Sequence, residues 1–375
     1  MSEKARIGLI GCGRIAREGH LPYLKANRHA EVVAAMDLSE KNRASVCRKF
    51  DIPSAHESPI EMFEKESLDG VLICTPNWVH RDLTLMAAEH GAHVLCEKPM
   101  ARNASECAEM IAACKKAGVK LQIGMVKRFD EGFIKAKKMI MSGKLGNVSH
   151  MTASALNPPP PRLDSGMFEM IKKWGDMLGR NLLEEMGLWR MTDERTGGGQ
   201  MLEMGTHLMD FILFLADEMP CEWSGFVLKN RPDMVWEDQG SVVMKFPSGI
   251  TATIELSMNV TANNLIGEHA RVYGDKSSIW INHVHGMWFG LPMYKFLATQ
   301  ITQYGALSPF TGIGLPVPVA AHPGIYMHKR QIEYFIDGIL GRDRDYFGFG
   351  PDFAASGEDG MALIKIIDDI YAADR

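Results

Sequence analysis

Over the first 125 residues, short apolar runs alternate with amphipathic stretches. ARIGLI, EVVAAMD (31–37), LDGVLIC, GAHVLC and VKLQIG are the apolar runs, rich in Val, Ile and Leu and bounded by Gly, Pro or Asp. Runs this short read as buried strands. Between them apolar residues recur at helical spacing, as in ASECAEMIAACKKAG. Strands alternating with helices predict a parallel sheet wrapped on both faces. Residues 1–127 are therefore expected to form a doubly wound Rossmann domain.

Beyond residue 128 the pattern changes. FDEGFIKAKKMIMSG predicts a helix and LGNVSHMTASAL a strand, followed by the stiff, extended NPPPPR at 157–162. A Met-rich helical stretch from about Phe168 to Leu188 leads to a second helix, which three glycines (197–199) open. From Glu222 to about Trp288 strand follows strand, with a hairpin turn at Pro247-Ser248-Gly249. The segment 290–325, rich in Gly, Pro and aromatics, reads as a long irregular excursion. Two helices, HKRQIEYFIDGILG and EDGMALIKIIDDIYAA, close the chain. Residues 128–375 are thus expected to form a second α/β domain on a large, open, mostly antiparallel sheet.

Composition removes several functions. The chain is 46% hydrophobic and 23% charged over 375 residues, ordinary for a globular protein with two cores. A net charge of -5 leaves no basic field for nucleic acid. The apolar run DFILFLA is far too short to span a membrane, and the opening MSEKARIGLIGCG reads as a strand, not a signal peptide. Seven cysteines without a C-x-x-C pair suit the reduced thiols of a cytoplasmic protein. The 26 methionines suit irregular core packing.

The chemistry concentrates at strand ends. Gly11-Cys12-Gly13-Arg14-Ile15-Ala16 is a G-x-G-x-x-A turn between a strand and a helix. Gly11 allows the tight turn, Gly13 admits a pyrophosphate to the backbone, and Ala16 lets the helix pack closely. Asp37 ends the second strand, where a carboxylate binds ribose hydroxyls and repels a 2′-phosphate, so NAD is expected over NADP. Lys41 and Arg43 nearby soften that preference. Thr75-Pro76-Asn77, His80 and Glu97-Lys98 fall at the same carboxyl edge, where such sheets bind ligands. Two adjacent charges after a core strand, in CEKPMA, therefore face a site and not the core. In the second half, Glu203 and His207 share a helix face, with Asp210 one turn on. No metal constellation is visible; His283 and His285 read as structural.

Taken in order, IGLIGCGRIA, CTPNWVH, CEKPMA, GMVKRFD, WRMTDERTGGGQMLEMGTHLMD and ARVYGDKSSIWI resemble the Gfo/Idh/MocA oxidoreductases over nearly the whole chain. The resemblance implies dimers or tetramers formed through the C-terminal sheet and sugar, polyol or related substrates. It also implies a catalytic group made of the EKP lysine and an Asp-x-x-x-His pair, here Lys98, Glu203 and His207, with Glu in place of the usual Asp. Trp189 and Arg190 are implied near the nicotinamide and Arg128 at the substrate. Either His207 or Lys98 can then take the proton of a secondary hydroxyl as it is oxidised. An alternative is a glycosidase that uses NAD transiently, with Arg162, Lys172, Lys173 and Arg180 available to an anionic substituent. A non-catalytic NAD-binding regulator is the third reading. The stretches 157–187 and 290–325 are where substrate choice is expected to lie.

Overall fold

The computed structural model describes residues 4–160, 162, 165–177, 187, 189–260, 267–284, 287–288, 291–292, 298–306, 314–323, 326–342 and 344–374. The chain divides into two units. The first comprises residues 1–129 and 326–365, and the second 130–325 and 366–375. Residues 326–365, which the sequence pattern groups with the second domain, pack with the first.

In the first unit, strands β1 (Ala5–Ile10), β2 (Ala30–Met36), β3 (Ser54–His56), β4 (Gly70–Ile73), β5 (His93–Cys96) and β6 (Leu121–Ile123) form one sheet. Its order is β3-β2-β1-β4-β5-β6 and all its pairs are parallel. This is the doubly wound arrangement, with the reversal of direction lying between β1 and β4. Helix ends are set by local chemistry. Asn103 caps the helix Ala104–Ala117 by accepting the Glu106 N–H at 2.9 Å, Glu106 returns a bond to the Arg102 N–H at 3.1 Å, and Gly118 ends it at φ 68°. The returning helix Met327–Ile339 contributes Ile332, Phe335 and Ile336 to the core built on β1 and β2.

The second unit is built on an eight-stranded sheet. Its strands are β7 (Val148–Leu156), β8 (Glu222–Leu228), β9 (Gln239–Lys245), β10 (Thr251–Ser257), β11 (Gly267–Gly274) and β12 (Ser277–Val284), continued by β15 (Ala298–Ala306) and β16 (Gly314–Pro323). The small pair β13 (Met287–Trp288) and β14 (Leu291–Pro292) lies apart from it. The order is β16-β15-β12-β11-β7-β10-β9-β8, antiparallel except at β7–β10. Alternation sorts the side chains. Met151, Ala153, Val242, Met244, Ile254, Val272, Ile279 and Ile281 are buried, and the helices Glu131–Met141 and Thr206–Ala216 pack against the sheet. Residues of opposite parity leave Phe226, Leu228 and Val243 about half exposed.

The expectation of an irregular excursion over 290–325 is corrected here, because β15 and β16 extend the sheet. The prolines that obscured this pattern sit in β16, an edge strand, where a missing N–H is tolerated. Among the described residues no helix is long and apolar enough to cross a membrane. All seven cysteines are free.

Candidate active site

The first unit gathers its expected residues at the carboxyl edge of the parallel sheet. Gly11 follows β1 with φ +93°, and a Cβ there would lie 2.7 Å from the Cys74 carbonyl oxygen beyond β4. The turn thus crosses the point where the sheet reverses and only glycine fits it. Gly13 is different: a Cβ at this position would meet nothing within 4 Å. Ala16 is fully buried and begins a wide turn, Ala16–His20, within the helix that Arg14 and Ile15 open. Asp37 accepts the Cys12 N–H at 2.7 Å on one oxygen and the Ser39 N–H at 2.8 Å on the other. Arg43 donates to the Asp37 carbonyl at 2.5 Å. Burial and the nearby Asp37 charge push the Cys12 thiol up to about 12, so it stays protonated.

Thr75, Pro76 and Asn77 follow β4. The Thr75 hydroxyl is buried without a hydrogen-bond partner, although such groups are normally paired. His80 is 1% exposed, with Nδ1 3.0 Å from the Pro99 carbonyl and Nε2 2.9 Å from the Thr75 carbonyl. Burial holds its pKa below the ordinary value. The ring ties the end of β4 to the segment after β5, so both of its nitrogens face backbone carbonyls.

Glu97 and Lys98 follow β5, and the Lys98–Pro99 peptide is cis. Glu97 Oε1 lies 2.7 Å from His20 Nε2, and Oε2 accepts the Lys98 N–H at 3.2 Å. The backbone before the lysine is therefore anchored to the glycine-turn helix. Burial raises the Glu97 carboxyl, but the bond to His20 and the imidazole charge outweigh it and hold the group below its usual range. His328 packs edge-on to His20 at 5.5 Å, and burial beside His20 lowers it to about 4. Arg128, 8% exposed, pairs with Asp359 at 3.4 Å. That contact sits at the start of the last helix, Gly357–Ala373.

In the second unit, the helix Thr206–Ala216 is preceded by a wide turn, Met201–Gly205, that carries Glu203. His207 is 8% exposed. Glu203 Oε1 lies 3.3 Å from Arg190 Nε, and the Arg190 guanidinium stacks 4.6 Å from the Trp189 ring. A carboxylate expected to act with His207 thus has a cation of its own. Arg162, Lys172 and Lys173 lie in or beside the described helix Gly166–Met177, whereas Arg180, His285 and the His283 side chain fall outside the described residues. Among the described residues no cluster of His, Cys, Asp and Glu is placed to hold a metal.

Nothing in the sequence pattern singled out His20, Glu237 or Tyr371. His20 follows the glycine motif by a few residues, but its partner is 77 positions away. Glu237 and Tyr371 come from a strand entrance and the last helix, and they meet only in the fold.

Comparison with known proteins agrees with this architecture. The sequence model of an NAD-binding Rossmann oxidoreductase family matches residues 5–125, and that of the GFO/IDH/MocA C-terminal domain matches residues 133–280. The chain is 28% identical to myo-inositol 2-dehydrogenase of Thermotoga maritima, over 74% of this chain and 75% of that one. It is 25% identical to 2,7-anhydro-N-acetylneuraminate hydratase of Escherichia coli, over 73% and 67%. The structure of aldose-aldose oxidoreductase from Caulobacter crescentus superposes with a TM-score of 0.75 at 25% identity, covering 99% and 97% of the two chains. With its glycine turn, EKP segment and open second sheet, the chain belongs to the GFO/IDH/MocA oxidoreductase family.

Proposed function

We propose that the protein is an NAD-dependent dehydrogenase of a secondary hydroxyl on a sugar, cyclitol or glycoside. The observation that carries this reading is the edge of the first sheet. Open space over Gly13 and an unpartnered Thr75 hydroxyl suit a bound dinucleotide, and Asp37 stands where ribose hydroxyls would be recognised. Bound NAD would supply the hydride acceptor. Gly11, Gly13 and the helix start would hold its phosphates, with Asp37 selecting NAD over NADP. Arg43 is bonded through one guanidinium nitrogen to the Asp37 carbonyl.

In this reading Lys98 and His207 handle the hydroxyl proton. His207 suits a base near neutral pH, and Lys98 suits a cation beside developing negative charge. Glu203, paired with Arg190, orients its neighbours and is not the base. The exposed face of the second sheet, with Phe226, Leu228 and Val243, would serve self-association as a dimer or tetramer.

A second reading is favoured by the hydratase among the relatives, since a hydratase has no net redox change. The protein would then be a glycosidase in which a transient carbonyl acidifies the neighbouring C–H and lets an aglycone leave. One assay separates the two. Free sugars, cyclitols and aryl glycosides, anionic ones included, are supplied with NAD while NADH and aglycone are followed together. Stoichiometric NADH without cleavage supports the dehydrogenase, whereas catalytic aglycone release without net NADH supports the glycosidase. Neither signal from any substrate, with NAD bound, would overturn both and leave a regulator.

A further inference from the structure

Glycines 198 and 199 stand at the entrance to the helix that carries Glu203 and His207, and their small size serves the protein itself. A Cβ on Gly199 would strike the Glu237 carbonyl oxygen and come within 3.0 Å of Glu237 Oε2, and a Cβ on Gly198 would strike the Tyr371 hydroxyl. Both neighbours belong to one buried arrangement. Glu237 is 6% exposed. Its Oε1 accepts the Gly199 N–H at 3.0 Å and the Met201 N–H at 2.9 Å, and Oε2 shares the Gly199 N–H at 3.1 Å. Tyr371, from the last helix, donates its hydroxyl to Oε1 at 2.7 Å.

These partners are all donors, so an acceptor-only carboxylate fits and an amide would turn its NH2 toward an N–H. A helix start offers such unpaired N–H groups and favours negative charge. The same strap continues on both sides. The Glu237 carbonyl accepts the Gln200 N–H at 3.1 Å, and the Val235 N–H donates to the Met191 carbonyl at 2.9 Å. Trp236 Nε1 donates to the Asp193 carbonyl at 2.9 Å. The short helix bearing Arg190, the partner of Glu203, is thus held by the same residues.

We propose that Glu237, clamped by Tyr371, is a positioning residue that fixes the register of the helix start from which Glu203 and His207 project. The wide turn Met201–Gly205 begins at the residue whose N–H Glu237 holds. A slip of one residue there would turn Glu203 and His207 by about 100° around the helix axis. Its catalytic meaning rests on the dehydrogenase reading; the geometric role does not.

The test compares Glu237→Gln and Tyr371→Phe with the wild type in three measurements: steady-state kinetics, NADH affinity by fluorescence, and imidazole resonances of protein labelled with [15N]histidine. In Glu237→Gln, kcat is expected to fall at least tenfold while the NADH Kd stays within twofold. The His207 resonances move in both variants, and those of His20 and His80 do not. His207 resonances unchanged in folded variants, or all histidines shifting together, would overturn the proposal. A wild type without turnover in which His207 still moves would keep the positioning role and sink the dehydrogenase reading. If Glu237→Gln does not fold, Tyr371→Phe, which removes a single hydroxyl, decides the matter.

Discussion

Gly13→Ala separates folding from cofactor binding, because its two effects have opposite signs. The added methyl meets no protein atom within 4 Å, and the backbone at Gly13 is not in the left-handed region. Replacing a glycine at such a position restricts the unfolded chain and stabilises the fold by about 0.4–1 kcal/mol. The same methyl fills the space through which a pyrophosphate would reach the backbone. Loss of one hydrogen bond to a charged group costs about 1.5–3 kcal/mol, or roughly 10- to 150-fold in Kd. Gly11→Ala provides the contrast. At φ +93° and 2.7 Å from the Cys74 oxygen its methyl is strained before any ligand arrives, and a loss of about 1–3 kcal/mol is expected. Thermal melts of the apoprotein and NADH titrations followed by fluorescence read the two effects separately. A Gly13→Ala variant that melts no lower than wild type but binds NADH much more weakly supports the reasoning. Unchanged NADH affinity would refute the idea that the open space over Gly13 receives the cofactor.

Two further predictions concern charges near that turn. Asp37→Ala should weaken NADH about tenfold or more while NADPH binds no worse than to wild type, as read from paired titrations; a wild type that already binds NADPH as tightly as NADH would contradict the role of Asp37. Glu97→Gln tests the bond to His20 through its pH dependence. A carboxyl held below its usual value stabilises the fold above the unfolded value, about 4.3, and loses that contribution as pH falls through the folded value. The stability gap between wild type and Glu97→Gln in denaturant titrations should therefore be full above about pH 5 and narrow as pH falls below about 4.3. A gap unchanged down to pH 3 would show that the Glu97 charge is not what the bond depends on.

The elements that carry their own local pattern were legible in the sequence. Buried parallel strands read as continuous apolar runs, and the glycine turn, Asp37 and the EKP segment each announce a strand end. The signals that failed did so for identifiable reasons. β16 carries prolines that its edge position tolerates, so its composition resembled a loop. The helix Met327–Ile339 has an amphipathic pattern that says it is half buried but not against which sheet, and its Ile332, Phe335 and Ile336 join the core of the first unit. Buried polar partners were the hardest to read. His20 with Glu97, and Glu237 with Tyr371, join residues 77 and 134 positions apart, and neither member of either pair stands in a pattern that names the other.

The two glycine runs of this chain carry opposite physical messages. At Gly13 the missing side chain leaves space that no protein atom enters, whereas at Gly198 and Gly199 the space is taken by Tyr371 and Glu237. Both runs lead into helices that widen within their first turns, at Ala16–His20 and Met201–Gly205. Such wide turns are rare inside helices and occur frequently at functional sites. Here one delivers the His20 ring to Glu97, beside the Lys98 backbone, and the other carries Glu203 to Arg190. In each unit a carboxylate, the half-buried Glu97 or the buried Glu237, then fixes what the wide turn has placed. A glycine-rich helix entrance is therefore evidence for a ligand only when the space above it is empty; when protein fills it, the glycines report a clamp on the residues that follow.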